Sequence, residues 1–427
     1  MNTKVLQIAA LIALAIVPIP VSSYFIVDTH ARQQADYVLR LNTPQYVIIH
    51  PFFPGTDTDM SWVPDAINAL GRGSITRRLA IAGVIQTLDW SDASINNWLE
   101  MFFSAAEQND VPLLLHLDSE HFYDHRPDLW NWWNNAAAGY NASNVDNVEW
   151  ANWTGPTKKG FLNWGSTIEF APRLCFESVA VRNEISRKDQ IIVSKLDQWL
   201  TNLTASNKTS LFLGIDPGWE TGIDDYRNVS WVPEPYRYLL GYNALTKRGF
   251  SAANPPPDLY SAIVGVVHDF AAFEAQTLAD KGIPKDKIFT HIWGAETTKP
   301  GYKQHAPMDV AFNNYSVPGF SLYPGYSHQK LSSLVAGKEW TVMETPPLQD
   351  YSPYLNLGFC KAIVIYNWGG SIKTDPAAIA AIRNLLNTEV DNPAPVLVPW
   401  LVVIILYGSI IGMIDVLLLT KSKRNKK

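Results

Sequence analysis

The sequence predicts an α/β protein: a (β/α)8 TIM barrel with a long aromatic-rich insertion after the third strand, plus a C-terminal transmembrane helix. Three observations predict it. Short runs that are apolar throughout recur along the middle of the chain, as strands buried on both faces of a parallel sheet do. Stretches with helical periodicity separate them. Eight such units fit between residues 40 and 390, a length that suits a barrel with enlarged loops. A doubly wound open sheet is the alternative. No Gly-x-Gly-x-x-Gly follows the first strand, which disfavours dinucleotide binding.

In order, Gln45–His50 is the first strand, and a helix follows near Ser61–Leu70. Leu79–Thr87 is the second strand. Ser94 is placed to cap the next helix, which lines up Trp98, Met101, Phe102 and Ala105 on one face. Val111–Leu117 is the third strand. A long irregular stretch over 119–184 separates it from a helix at Arg187–Thr201 and a fourth strand at Ser210–Ile215. A helix over Ser261–Lys281 leads to a fifth strand at Lys287–Trp293. Gly319–Tyr323, Glu339–Met343 and Ala362–Tyr366 are strands six to eight, and Pro376–Leu386 is the last helix.

The two ends of the chain carry a different message. Lys4, an apolar run from Val5 to Val17, then Pro18, Pro20 and small residues read as a secretory signal within 1–27, cleaved or kept as an anchor. Residues 396–419 are long and apolar enough to cross a bilayer as a helix, with Asp415 the one charge. The basic tail 420–427 follows at once and predicts a cytoplasmic C-terminus. The barrel, 40–390, is then extracellular and tethered to the membrane by one helix. Six Asn-x-Ser/Thr sequons, at Asn141, Asn152, Asn202, Asn207, Asn228 and Asn314, are compatible with a glycosylated surface.

Composition narrows the function. The net charge is -6 and the basic residues form no stripe, so a nucleic-acid role has no electrostatic support. The 16 Trp exceed what a core readily buries, because each indole N–H needs a partner. Six of them, Trp130, Trp132, Trp133, Trp150, Trp153 and Trp164, fall in the insertion. That insertion either walls the substrate cleft or holds a small aromatic core of its own. Cys175 and Cys360, placed at opposite ends of the barrel, are expected to stay unpaired.

In a barrel of this kind, chemistry sits at the C-terminal ends of the strands. Polar residues just past each apolar run are therefore the candidates. They are His50 after the first strand, Trp90 after the second, and His116, Asp118 and Glu120 around the end of the third. The fourth strand ends in Asp216-Pro217-Gly218-Trp219-Glu220. His291 and Trp293 close the fifth, Tyr323 the sixth, Glu344 the seventh, and Asn367-Trp368 the eighth. Carboxylates, histidines and tryptophans together suit a carbohydrate, whose C–H faces stack on indole and whose hydroxyls bind acids. Cleaving a glycosidic bond takes two carboxyl groups, one protonated and one ionised.

Glu220 after the fourth strand and Glu344 after the seventh resemble the large clan of retaining glycoside hydrolases with (β/α)8 barrels. The resemblance covers roughly residues 45–390 and rests on short motifs. It implies Glu220 as acid/base, Glu344 as nucleophile, Tyr323 as a partner of the nucleophile and Trp368 as the floor of a sugar subsite. It calls for no cofactor. The clan carries Asn before the acid/base, where this chain has Trp219. That departure motivates a second expectation, a non-catalytic glycan-binding protein on a degenerate barrel. A third is a metal-dependent hydrolase, with His116, Asp118 and His121 as ligands.

Overall fold

The computed structural model describes residues 34–40, 42–51, 59–163, 167–294 and 303–388. Its contacts define a compact body, Arg40–Glu389. Of the second unit, residues 1–39 and 390–427, the described part is a helical stretch at 34–39. The expected leader, membrane span and basic tail lie outside the described residues. Among the described residues, no helix is long and apolar enough to cross a membrane.

Seven strands form one wholly parallel sheet. Its spatial order is Phe212–Asp216, Leu113–Asp118, Arg77–Gln86, Gln45–His50, Cys360–Tyr366, Trp340–Thr345, Gly319–Ser321. Residues 288–292 run between its two edges. Phe289 N donates to Ile215 O at 2.9 Å on one side, and Thr290 N donates to Val317 O at 3.0 Å on the other. Parallel bridges at Ile215–Ile288, Phe289–Val317 and Ile292–Phe320 continue the pairing. The regular fifth strand expected at Lys287–Trp293 is thus an irregular run of bridges. Gly214 and Gly319 flank it and let it approach. A Cβ on the first would collide with the Lys287 carbonyl, and one on the second with the Thr290 carbonyl.

Strand alternation sorts the apolar residues into two cores. Ile48, Ala80, Ala82, Leu114, Leu213, Phe289, Val317, Met343, Ala362 and Val364 pack together inside the curl of the sheet. Seven of the eight runs contribute to that inner cluster, and Val317 joins it just before the sixth. Their neighbours Val47, Ile49, Leu79, Ile81, Leu113, Leu115, Ile288, Phe320, Val342, Ile363 and Ile365 face outward into the core shared with the helices. Two residues beyond the inner cluster the lining turns polar. Ile48 gives way to His50, Leu114 to His116 and Phe289 to His291, all buried.

The helices that cover the sheet are Trp62–Leu70, Asp92–Asn109, Val179–Ala205, Leu259–Asp280, His328–Val335 and Pro376–Asn387. Ser91, not Ser94, caps the second of these. Its Oγ accepts the Ser94 N–H at 3.0 Å, so the helix starts one turn earlier than expected. Asp375 caps the last, with Pro376 in its first turn. Between the fifth and sixth runs the described residues hold no α-helix, only the 3-10 turn Met308–Ala311.

The insertion is built from short pieces: Pro127–Trp130, the 3-10 turn Ala142–Asp146 and the hairpin Gly160–Asn163 with Thr167–Phe170. Its tryptophans pack on aromatic neighbours. Trp130 stacks on Trp133 at 5.6 Å, Trp132 meets Trp133 at 5.7 Å, and Trp153 meets Tyr242 at 5.0 Å. The indole N–H groups of Trp130, Trp132 and Trp150 donate to the main-chain carbonyls of Tyr123, Thr157 and Val145. Tyr123, Leu129, Leu162, Phe170 and Leu174 of the insertion join the main core, and Trp130 and Trp153 pack against it. Trp164 lies outside the described residues. Cys175 and Cys360 are separate buried thiols.

Candidate active site

Glu220 and Glu344 meet at the rim of the sheet. The Tyr323 hydroxyl lies 2.7 Å from Glu220 Oε1 and 2.6 Å from Glu344 Oε1. The two carboxyl oxygens are therefore no farther apart than the sum of those contacts, about 5.3 Å. The other oxygen of Glu344 accepts the indole N–H of Trp219 at 2.6 Å. The Ser321 hydroxyl bonds Glu220. Each of these side chains sits at the end of its strand: Trp219-Glu220 past the fourth, Ser321 and Tyr323 at the sixth, Glu344 on the seventh.

The backbone is strained where it presents Glu220. That residue has φ of 54°, in the left-handed region. A non-glycine residue held there costs about 1–3 kcal/mol, which the surroundings must supply. Thr221 N donates to His291 O at 3.0 Å and so anchors the turn to the fifth run. Asn367, past the eighth strand, is also left-handed at φ 72°, and its side chain accepts the Gly370 N–H at 2.8 Å.

Both catalytic candidates are buried, and burial raises both carboxyl groups above the ordinary range. For Glu344 the charge of Glu220 adds to that; for Glu220 the neighbouring His291 works against it. Two such groups in contact with one phenol cannot both ionise easily, so once one is charged the other keeps its proton. Tyr323 carries a single hydroxyl hydrogen. It can donate to one carboxyl only and must accept from the other. Glu344 already receives a fixed N–H donor from Trp219. The fixed N–H favours charge on Glu344, and so the order Glu220 O–H to Tyr323 and Tyr323 O–H to ionised Glu344, while burial and the Glu220 charge hold that ionisation up at about 8.

Beneath this pair lies a buried polar layer. His291 contacts Ser321 Oγ at 2.8 Å through Nε2 and Asp216 Oδ2 at 3.0 Å through Nδ1. His116 Nε2 is 3.6 Å from the same Asp216 oxygen, and its Nδ1 is 3.3 Å from His50 Nε2. Burial drives the histidines toward the neutral form, His50 down to about 3 and His291 to about 4. Trp219 rests on this layer, 4.6 Å from the His116 ring and 5.6 Å from the His50 ring.

The remaining candidates have other partners, and Trp293 alone of them has a ring contact with Tyr323. Asp118 Oδ1 accepts the main-chain N–H groups of Glu120 and His121 and contacts His121 Nδ1 at 3.2 Å. That turn carries Glu120 away from Glu344. Its carboxyl accepts from Thr221 Oγ1 and lies 3.7 Å from Arg173, beside Glu274 of the helix Leu259–Asp280. Trp90 packs on Trp98 at 5.9 Å and donates to Gln86 at 2.9 Å. Trp293 lies 6.3 Å from the Tyr323 ring. Trp368 is buried, and its indole N–H has no hydrogen-bond partner among the described residues. The metal ligands expected at His116, Asp118 and His121 do not converge. His116 turns toward Asp216 and His291, while Asp118 is spent on its own loop.

Sequence reasoning passed over Ser321, Arg173, Thr221 and Glu274. Glu274 had a readable signal: it lies on the apolar face of its helix with Val267, Phe270, Ala271 and Leu278, where a carboxyl needs a buried partner. Ser321 and Thr221 are small hydroxyl residues without any distinguishing pattern.

By sequence, no protein family and no curated protein matches the chain. Solved structures align with it at low identity. The GH26A structure from Muricauda sp. MAR_2010_75 shares 8% identity and a TM-score of 0.41, over 81% of this chain and 90% of that one. A β-mannanase of Thermomonospora fusca, in complex with mannohexaose, shares 12% and 0.34, over 83% and 86%. A ruminal GH26 endo-β-1,4-mannanase shares 9% and 0.43, over 81% and 64%. These are likenesses of chain course, and the chemistry is read from the side chains above.

Proposed function

We propose that this chain is a retaining glycoside hydrolase, exported and tethered to the membrane by one C-terminal helix. The single observation that carries the reading is the Tyr323 hydroxyl in contact with both Glu220 and Glu344. A separation of at most about 5.3 Å lies below the roughly 6.5–9.5 Å of the inverting route and supports direct attack by one carboxylate on the anomeric carbon. The inverting route needs room for a water between the two groups and wider spacing. The whole body is read as a complete (β/α)8 barrel, supported by residues 288–292, which bridge both edges of the seven-stranded sheet.

Glu220, protonated, gives its proton to the glycosidic oxygen as that bond breaks. Glu344, ionised, forms a bond to the anomeric carbon and yields a covalent glycosyl intermediate. Water then attacks the same carbon, Glu220 takes its proton, and Glu344 leaves as carboxylate. Trp219 and Tyr323 direct two donors at Glu344 and stabilise its charge before substrate arrives. Trp219 therefore has a task of its own in place of the clan's Asn. That supports hydrolysis over mere glycan binding.

Export is supported by the sequons. All six of their asparagines are exposed, whereas Asn131, Asn144, Asn147 and Asn243 are buried. The substrate in this reading is an extracellular or cell-wall glycan. The test is a mechanism-based fluorosugar followed by peptide mapping. Label on Glu344, released slowly by water, is the expected result. Label elsewhere, or no label on a chain that releases reducing ends, would remove the assignment.

A further inference from the structure

The polar layer beneath the rim holds a donor set that the hydrolytic reading does not use. Asp216 Oδ2 lies 3.0 Å from His291 Nδ1 and 3.6 Å from His116 Nε2. One donor atom from each of the three residues falls within 4.8 Å of the others. Tetrahedral zinc with bonds of 2.0–2.1 Å spaces its ligand atoms about 3.3 Å apart, between those two distances.

The layer is also incomplete as it stands. Among the described residues, His116 Nε2 and Asp216 Oδ1 are buried with no hydrogen-bond partner, and Asp216 has no lysine or arginine beside it. A metal cation there would give the buried carboxylate its positive partner. Each imidazole meanwhile points its second nitrogen at another group, His116 at His50 and His291 at Ser321. That is how ligating histidines are oriented from behind.

We propose that His116, Asp216 and His291 bind one divalent transition-metal cation of the zinc class inside the barrel. Two imidazoles and a carboxylate suit zinc and its neighbours better than magnesium or calcium. The cation neutralises the layer and fixes the surface on which Trp219 rests, and Trp219 in turn directs its N–H at Glu344. The three residues are positioning residues in this scheme. The cation touches neither glutamate, and the proposal stands or falls independently of the hydrolytic reading.

The experiment uses the full chain, without a histidine tag, stripped with chelator and dialysed. Zinc alone is titrated back, followed by metal analysis and thermal melting, and cobalt replaces zinc for visible absorption. The expected result is about one equivalent bound per chain, a melting temperature several degrees higher, and the intense absorption of low-coordinate cobalt. Asp216→Asn and His116→Gln should lose the bound equivalent, whereas His121→Gln should keep it. Wild-type chain that retains under about a tenth of an equivalent, with no shift in melting, overturns the proposal. So does Asp216→Asn that binds like wild type. If Asp216→Asn does not fold, the wild-type titration and His116→Gln still decide. Sugar release plays no part in any of these readings.

Discussion

Two pairs of buried carboxyl groups occupy this barrel, and their surroundings differ. Glu220 and Glu344 share a phenol and sit past the fourth and seventh strands. Glu120 and Glu274 lie behind the third strand, against a covering helix, held by the Thr221 and Ser119 hydroxyls with Arg173 nearby. In both pairs burial raises the carboxyls and each partner's charge bears on the other or on a neighbour. Raised pKa values therefore do not separate the pair proposed as catalytic from the other. The geometry does. The first pair has a strained backbone at one member, φ 54° at Glu220, and one hydroxyl in contact with both carboxyls.

The comparison is broken most directly by amide substitution. Glu344→Gln should reduce turnover of an aryl glycoside by about 10³-fold or more, and Glu220→Gln by about 10²–10⁴-fold. Glu120→Gln and Glu274→Gln should stay within about tenfold, since neither touches the reacting bond. Steady-state kcat on all four variants decides it. A collapse of kcat in Glu120→Gln with an intact fold would transfer the acid role to that residue.

The next effect separates the two donors on Glu344. Tyr323→Phe removes a donor from ionised Glu344, whose carboxyl rises, and an acceptor from protonated Glu220, whose carboxyl falls. The pH–rate profile should narrow from both sides, with kcat lower by about 10–100-fold, the worth of a hydrogen bond to a charged group. Trp219→Phe removes a donor from Glu344 alone. Only the acid limb of its profile should move up, with a loss of about tenfold. Identical shifts in the two variants would show that the proton order from Glu220 through Tyr323 to Glu344 is wrong.

How far the sequence foretold this depended on what each residue reports. Val47–Ile49 and Ile363–Ile365 are buried on both faces, so their apolar runs are unmistakable. The fifth run, Ile288–Ile292, has the same pattern, but whether it pairs regularly depends on the close approach that Gly214 and Gly319 allow. Glu220, Glu344 and Tyr323 were legible because a strand end fixes which rim a side chain joins. Glu120 was placed with them because its position past the third strand looks the same. The Asp118 carboxyl captures the next two main-chain N–H groups and turns Glu120 aside. Such a turn depends on a side-chain rotamer, and periodicity carries no trace of it. The Arg173 contact with Glu120 spans 53 residues through an irregular insertion, beyond any local pattern.

The smallest expected effect concerns stability, and it sharpens the comparison from the structural side. Glu120 is raised by burial, as are Glu149, to about 7, and Asp189, to about 6. A carboxyl whose folded pKa exceeds its unfolded value binds more protons when folded. Its contribution is present below the unfolded pKa, near 4, and is lost as pH rises through the folded one. The buried histidines act in the opposite sense, because their folded pKa values are lowered. They cost stability as pH falls below about 6.5 and are silent above it. Between pH 6.5 and 8 the buried carboxyls and His125, raised by its bond to Asp89, all lose their contributions, so wild-type chain should melt at lower temperature at pH 8 than at pH 6.5. Glu120→Gln cannot ionise, keeps an oxygen for Thr221, and removes about 1–2 kcal/mol of that decline. Melting curves of the two proteins at both pH values test it. A parallel decline in wild type and Glu120→Gln would mean that Glu120 is already ionised in the folded chain, paired with Arg173, and that the two carboxyl pairs differ in charge as well as in place.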